Sequence, residues 1–276
     1  MTTASTADST SPTAPPGRSR RRATIVGVVI VVVLFVIAAV VGQTRSSAPK
    51  PPSGNVGTQV DQALPANILS LPLVDEYGNS TNLASFKGKI VVLTDFMTLC
   101  QEVCPFTTAR LNQVDQAVTK AGLADKVQFV EITVDPERDT PDQLHAYRAF
   151  AGLLPNFSLL TGTPDNLATL WHTLGVGYNK QDEDDPPGID WRTGQPLTYD
   201  VEHTDVLLYL DATGHERYVI AGMPVSTDAP LTAGELAFLN DEGKENLTDS
   251  SAGVWTADDA LDAVSWLAKK QMRLAN

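Results

Sequence analysis

The chain has 276 residues, with 33 acidic against 20 basic side chains and a formal net charge of −13 at pH 7. This length suffices for one substantial domain with a hydrophobic core. The acidic balance argues against nucleic acid and anionic lipid surfaces as partners.

The first predicted element is a membrane anchor at residues 23–42, which are uncharged and nearly all apolar. Twenty helical residues span about 30 Å, the thickness of a bilayer's hydrocarbon core. A cleaved signal peptide is the alternative, but the run is long for one and has no clear cleavage site. Four arginines precede the run: Arg18, Arg20, Arg21 and Arg22. The positive-inside rule then predicts a single-pass protein of the cell membrane, with a cytoplasmic N-terminus and an extracytoplasmic C-terminal part.

The segments on either side of the predicted anchor lack the composition of a folded core. Residues 1–22 form a tail that begins with many Ser, Thr, Ala and Pro residues, and we predict it to be disordered. Residues 43–59 include several prolines and a glycine, which is typical of a linker. A single folded domain is therefore predicted over residues 60–276.

This domain alternates predicted strands with predicted helices. A hairpin is predicted over residues 68–83, and residues 223–255 are predicted to be an irregular excursion. Thr140 and Thr163, each followed by proline, are typical helix N-caps. The remaining predictions are strands at 90–95, 127–134 and 158–160, helices at 107–121 and 257–273, and a hairpin across 206–220. This order predicts an α/β, thioredoxin-like fold with a central mixed sheet flanked by helices.

Cys100 and Cys104 are the only cysteines, and they lie between the predicted strand at 90–95 and the helix that follows it. Backbone N–H groups and the dipole at a helix start stabilise a thiolate, so reactive or metal-binding cysteines are predicted. A structural disulfide here would close a loop of only three residues and add little stability. The C-x-x-x-C spacing is wider than the C-x-x-C spacing of thioredoxin-type redox pairs.

Four motifs in chain order resemble the Sco/SenC family. They are Cys100-x-x-x-Cys104-Pro105, D-P-E-R-D-T-P at 135–141, L-T-G-T-P at 160–164 and D-V-E-H-T at 200–204. Members of this family are membrane-anchored, thioredoxin-fold proteins that bind copper and assist cytochrome c oxidase assembly. The resemblance covers about residues 60–222 and implies that Cys100, Cys104 and His203 bind copper. Two thiolates and an imidazole suit Cu(I) and also accept Cu(II).

The resemblance implies a copper metallochaperone that delivers copper to the binuclear centre in the copper-bearing subunit of cytochrome c oxidase. Other copper or thiol-redox proteins outside the membrane are further expected partners. Two alternatives stay open. A thiol–disulfide oxidoreductase would use Cys100 as the attacking thiol and Cys104 as the resolving one. A redox or copper sensor would change partner binding with the state of the same pair.

Asp95 departs from the family pattern, in which an apolar or aromatic residue usually precedes the motif. It resembles the buried acid that serves thioredoxins as proton acceptor, so we hypothesise that Asp95 assists proton transfer from Cys104. A hydrogen-bonded carboxylate at a strand end is the alternative.

The acidic run at residues 182–185 is expected to be a solvated loop, with a docking or metal-collecting surface as the alternative.

Overall fold

The computed structural model describes residues 1–2 and 48–274. The predicted anchor at 23–42, nearly all of the tail and the start of the linker lie outside these residues. In the part of the chain described, no helix has the length and apolar character to cross a bilayer. Membrane anchoring therefore remains a prediction.

A mixed eight-stranded sheet forms the centre of the fold. Its strands are β1 (Thr58–Ala63), β2 (Leu73–Asp75), β3 (Ser80–Thr81), β4 (Ile90–Phe96), β5 (Val127–Thr133), β6 (Phe157–Thr161), β9 (Val206–Leu210) and β10 (His215–Ala221). They lie side by side in the order β1-β10-β9-β4-β5-β6-β2-β3. Strands β4, β5 and β6 are parallel, whereas β9 is antiparallel to both β4 and β10. Strands β7 (Tyr178–Gln181) and β8 (Asp200–His203) pair as a separate antiparallel ribbon.

Helices cover both faces of the sheet. They are α1 (Ala66–Leu69), α2 (Cys104–Lys120), α3 (Pro141–Phe150), α4 (Pro164–Leu174), α5 (Ala233–Phe238), α6 (Asp241–Asn246) and α7 (Ala257–Ala268). Successive residues of a strand point to opposite faces. Ile90 and Val92 of β4 accordingly share one core layer with α2 and α7. Val91 and Leu93 share the other layer with α3 and α4.

This arrangement confirms the predicted mixed sheet flanked by helices. The sheet order β5-β4-β9-β10, with α2 between β4 and β5 and α7 after β10, is that of a thioredoxin-like fold. The two predicted N-caps are also confirmed, because Thr140 accepts the Gln143 N–H and Thr163 accepts the Asn166 N–H. Such caps are local, since donor and acceptor lie three residues apart.

Several predicted boundaries differ from the structure. The hairpin of residues 68–83 is shorter, because Ile68 and Leu69 belong to α1 and the strand begins only at Leu73. A short apolar run does not distinguish a buried strand from a buried helix. Strand β1 begins at Thr58, within the predicted linker, where it pairs with β10. The predicted irregular excursion at 223–255 contains the short helices α5 and α6.

Candidate metal centre

Cys100 lies in the loop after β4, and Cys104 is the first residue of α2. The sulfur of Cys100 accepts backbone hydrogen bonds from Val103, at 3.5 Å, and from Cys104, at 3.3 Å. The N–H groups at the start of an α-helix have no hydrogen-bond partner within the helix. They therefore stabilise a negative charge that lies next to them. Cys100 therefore occupies the anion-stabilising position at the start of α2, as its place in the sequence predicted.

The β7–β8 ribbon carries His203 to the two cysteines. Its Nε2 lies 3.4 Å from the sulfur of Cys104. One ligand atom from each of Cys100, Cys104 and His203 lies within 4.8 Å of the others, and both cysteines are free thiols. Metal bonds of about 2.0–2.3 Å to imidazole nitrogen and thiolate sulfur place the ligands of one ion about 3.5–4 Å apart. The three residues singled out in the sequence thus come close enough together to share one metal ion after small shifts of their side chains.

Asp95, near the end of β4, holds the other side of the His203 ring. Its Oδ2 lies 2.7 Å from His203 Nδ1, and its Oδ1 accepts the Val206 backbone N–H at 3.0 Å. Because Nδ1 is engaged by the carboxylate, Nε2 is the nitrogen that faces the cysteines. A carboxylate on the outer nitrogen of a metal-binding histidine is a common way to fix its orientation.

The geometry gives Asp95 a different neighbour from the one that our hypothesis required. The carboxylate is buried, and its hydrogen bonds go to His203 and Val206 rather than to Cys104. Proton transfer from Cys104 to Asp95 would therefore have to pass through the imidazole.

The D-P-E-R-D-T-P motif at residues 135–141 stabilises the loop that leads into Cys100 through hydrogen bonds to Asp139. Asp139 is fully buried, and its carboxylate accepts the Thr98 backbone N–H at 3.2 Å as well as the hydroxyls of Thr98 and Thr133. Thr98 lies two residues before Cys100. Asp139 thereby ties the end of β5 to the cysteine loop.

The same motif also fastens the ribbon that carries His203. Arg138 pairs with Asp135 and donates to the Tyr199 carbonyl at 2.7 Å, while its guanidinium lies 3.8 Å from the centroid of the Tyr199 ring. Lys180 Nζ lies 3.9 Å from the same ring centroid, and the Tyr199 hydroxyl donates to Asp135 at 2.8 Å. Sequence reasoning missed Tyr199, because a lone tyrosine in a polar loop carries no local pattern.

The two cysteines have opposite pKa shifts. A hydrogen bond from the Cys104 thiol, helped by His203 and opposed by burial, holds the pKa of Cys100 well below its ordinary value. Burial, followed by the neighbouring Cys100 charge, raises the pKa of Cys104 well above that value. Burial opposes the charged form of His203, but Asp95 and Cys100 outweigh it and raise the pKa of His203. These shifts favour the thiolate on Cys100, keep the proton on Cys104 and favour the cationic form of His203.

A cavity of about 330 Å³ opens onto Cys100 and His203 and carries a strongly acidic rim. Its acidic residues are Glu102, Asp184, Asp200, Glu202, Asp205 and Glu242. Burial, together with the Cys100 charge, raises the pKa of Glu102 to about 9, and burial raises that of Asp205 to about 7. Asp184 belongs to the acidic run that we expected to be a solvated loop, so part of that run borders the site. Those acids of the rim that are ionised at neutral pH raise the local concentration of cations, whereas the raised pKa of Glu102 leaves it largely neutral there.

The fold and the site together define a thioredoxin-like protein with two cysteine sulfurs and one imidazole arranged for a soft metal ion. The family model described as SCO1/SenC matches residues 68–233, which is more than half of the chain. The chain therefore belongs to the SCO1/SenC family.

Similar proteins include relatives from bacteria and from mitochondria. The "Putative copper-binding protein" of Stutzerimonas stutzeri is 31% identical over 122 residues, covering 41% of this chain and 58% of that protein. The human "Protein SCO2 homolog, mitochondrial" is 32% identical over 120 residues, covering 43% of this chain and 44% of that protein. The chain thus spans less than two thirds of the length of these relatives. The solved structure of Bradyrhizobium japonicum ScoI with copper bound is 26% identical, with a TM-score of 0.44, and covers 65% of this chain and 94% of that one.

Proposed function

We propose that this protein is a copper metallochaperone that holds copper with Cys100, Cys104 and His203. The observation that carries the proposal is the convergence of these three soft donors within 4.8 Å of one another. Sulfur and imidazole donors suit Cu(I), and three ligands leave a position open. An open position allows an incoming ligand to bind before a departing one leaves, which suits an ion that is to be handed on.

Loading of copper requires both sulfurs to be thiolates, because protons compete with metal ions for ligands. Cys100 already favours the thiolate, but burial keeps the proton on Cys104. Copper binding must therefore release a proton from Cys104 and, where the imidazole is cationic, one from Nε2 of His203, so apparent affinity rises with pH. Asp95 contributes by keeping Nε2 of His203 directed at the sulfur of Cys104.

The proposed recipient is the copper-bearing subunit of cytochrome c oxidase, with delivery to its binuclear copper centre. Membership of the SCO1/SenC family supports this choice. An anchor at residues 23–42 would hold the domain at the outer side of the cell membrane. Transfer would proceed by exchange of the three ligands for those of the recipient, through the open position on the ion.

Thiol–disulfide exchange is the second candidate, and the pKa values of the cysteines favour it. A thiolate at Cys100 next to a protonated Cys104 is the pairing that an attacking and a resolving thiol need. Disulfide exchange requires the two sulfurs but not an imidazole ligand. His203 therefore distinguishes the two functions.

Copper titration of the reduced full-length chain tests the proposal. We expect about one copper per wild-type chain, and an affinity more than about 100-fold weaker in His203→Ala, since loss of a ligand should exceed the cost of losing an outer-shell partner. His172→Ala, which removes an exposed imidazole from α4, is the matched control and should bind like wild type. Binding that does not depend on His203 would reject the three-ligand site and favour thiol–disulfide exchange.

A further inference from the structure

A segment that lies almost entirely C-terminal to the residues matched by the family model packs directly on the cysteine loop. This covering segment consists of α5, the connection through Asn240, and α6, and it spans residues 233–246. The family model ends at residue 233, so nearly all of the covering segment lies outside the matched range. Within the cysteine loop it contacts Gln101 and Glu102, two of the three residues between the cysteines, and its Phe238 shares a hydrophobic cluster with Leu99.

Three hydrogen bonds join the covering segment to these two residues. Gln101 Nε2 donates to the Phe238 carbonyl at 2.6 Å. Asn246 Nδ2 donates to the Glu102 carbonyl at 3.1 Å, and Asn240 Nδ2 donates to the Glu102 carboxylate. Two of the three bonds use the side chain of an asparagine in the covering segment, so each can be removed without altering the cysteine loop itself.

The backbone of α6 also approaches the cysteine loop too closely to admit a side chain. A Cβ at Gly243 would lie 2.1 Å from the backbone oxygen of Gln101. A Cβ at Gly188 would lie 2.0 Å from Gln101 Oε1. The contact at Gly243 is with a backbone oxygen, so a rotamer change cannot relieve it, whereas the contact at Gly188 is with the end of the Gln101 side chain.

We propose that the covering segment positions the C-Q-E-V-C loop and shields Cys100, so that the sulfurs are held for metal binding and react slowly with other thiol reagents. Only 6% of Cys100 and 2% of Cys104 is exposed, although the cysteines lie in a loop and at a helix start. Asn240 and Glu242 of the covering segment line the cavity that opens onto Cys100, so the rate of reaction at Cys100 rises with the fraction of molecules in which the segment has moved away from the loop. The metal-binding purpose of this arrangement rests on the proposed function, whereas the shielding does not.

Alkylation of the reduced, metal-free full-length chain with iodoacetamide measures the shielding. In this reaction the Cys100 thiolate forms an S–C bond and iodide leaves. Asn240→Ser is the sharpest variant, because its hydroxyl can still cap α6 through the Gly243 N–H but lacks the amide that donates to Glu102, and it adds no charge. Asn246→Ala removes the second bond. Lys244→Ala changes an exposed side chain of the same helix and is the matched control.

We expect each asparagine variant to be alkylated on the order of fivefold to tenfold faster than wild type, which is the effect of one lost hydrogen bond on the opening equilibrium. Its copper affinity should fall while its thermal unfolding midpoint stays near that of wild type. Lys244→Ala should match wild type in all three measurements. Folded asparagine variants that are alkylated at the wild-type rate would overturn the proposal. Copper binding by the wild-type chain is measured separately, so failure of the proposed function would not be mistaken for failure of the shielding.

Discussion

At the scale of single residues, the site depends on a series of contacts in which each group orients or stabilises its neighbour. The start of α2 stabilises the Cys100 thiolate, Cys104 donates to it, and His203 faces Cys104. Asp95 completes the series from the other side of the imidazole. A soft metal ion would therefore meet a site whose donors are already oriented, which lowers the entropic cost of binding.

Asp95→Asn should weaken copper binding by about 10–100-fold, the usual effect of losing an outer-shell partner. The amide oxygen can still accept the Val206 N–H, but the amide nitrogen cannot accept a proton from His203 Nδ1. Copper titration gives the affinity, and ¹⁵N NMR of the imidazole in the metal-free chain reports its protonation and tautomer.

Asp125→Asn, at an exposed position, is the control for this substitution and should change neither measurement. An Asp95→Asn chain with the wild-type imidazole spectrum and affinity would show that the carboxylate does not orient His203. Faster or slower alkylation of Cys104 in this variant would separately test the proton-transfer hypothesis.

At the scale of elements, a buried acid connects β5 to α2. Glu131 on β5 is fully buried, and the Thr108 hydroxyl of α2 donates to its Oε1 at 3.0 Å. Its Oε2 has no hydrogen-bond partner among the described residues. Burial, with a contribution from the charge of Glu235, raises the pKa of Glu131 to about 8. The folded chain therefore keeps a proton that the unfolded chain releases.

This difference makes stability depend on pH with a definite sign. Between the ordinary pKa of 4.5 and about 8, the folded state binds more protons at Glu131, so its contribution to stability falls as pH rises. Glu131→Gln should remove that slope and be more stable than wild type at pH 8, by roughly 1–3 kcal/mol. Urea unfolding at pH 5 and pH 8 measures the change. The exposed variant Glu245→Gln should keep the wild-type slope, and an unchanged slope in Glu131→Gln would contradict the assignment.

At the scale of the whole molecule, the proposed copper ligands come from elements far apart in the sequence. The two cysteines follow β4, whereas His203 ends β8, 99 residues after Cys104. An ion bound to all three would connect the central sheet to the β7–β8 ribbon. It would thereby stabilise the folded chain as a unit.

Cu(I) should raise the stability of the reduced wild-type chain by about 2.7 kcal/mol when free copper is 100 times Kd. Unfolding curves with and without buffered Cu(I) measure this shift. His203→Ala should show a much smaller shift at the same free copper concentration. Equal shifts in the two chains would mean that the cysteines bind copper without the imidazole, and that the ion does not connect the two elements.

Local sequence patterns predicted much of this molecule. The apolar strand at Ile90, the N-caps Thr140 and Thr163 and the strand–helix–strand order each depend on residues within a few positions of one another. Cys100 and Cys104 were predicted in the same way, from their place before a helix. His203 came from the motif resemblance, since a single histidine has no local pattern that marks it as a ligand.

The remaining features depend on how distant segments meet. Asp95 and His203 are 108 residues apart, and Gln101 and Phe238 are 137 apart, so neither contact leaves a periodic trace in the chain. The polar strand β7 is recognisable only through its pairing with β8, because most of its residues are exposed and form no hydrophobic stripe. Hydrophobic periodicity and capping are short-range properties and can be read along the chain. The orientation of His203 and the covering of Cys100 arise only when the sheet register and the packing of the covering segment bring those groups together.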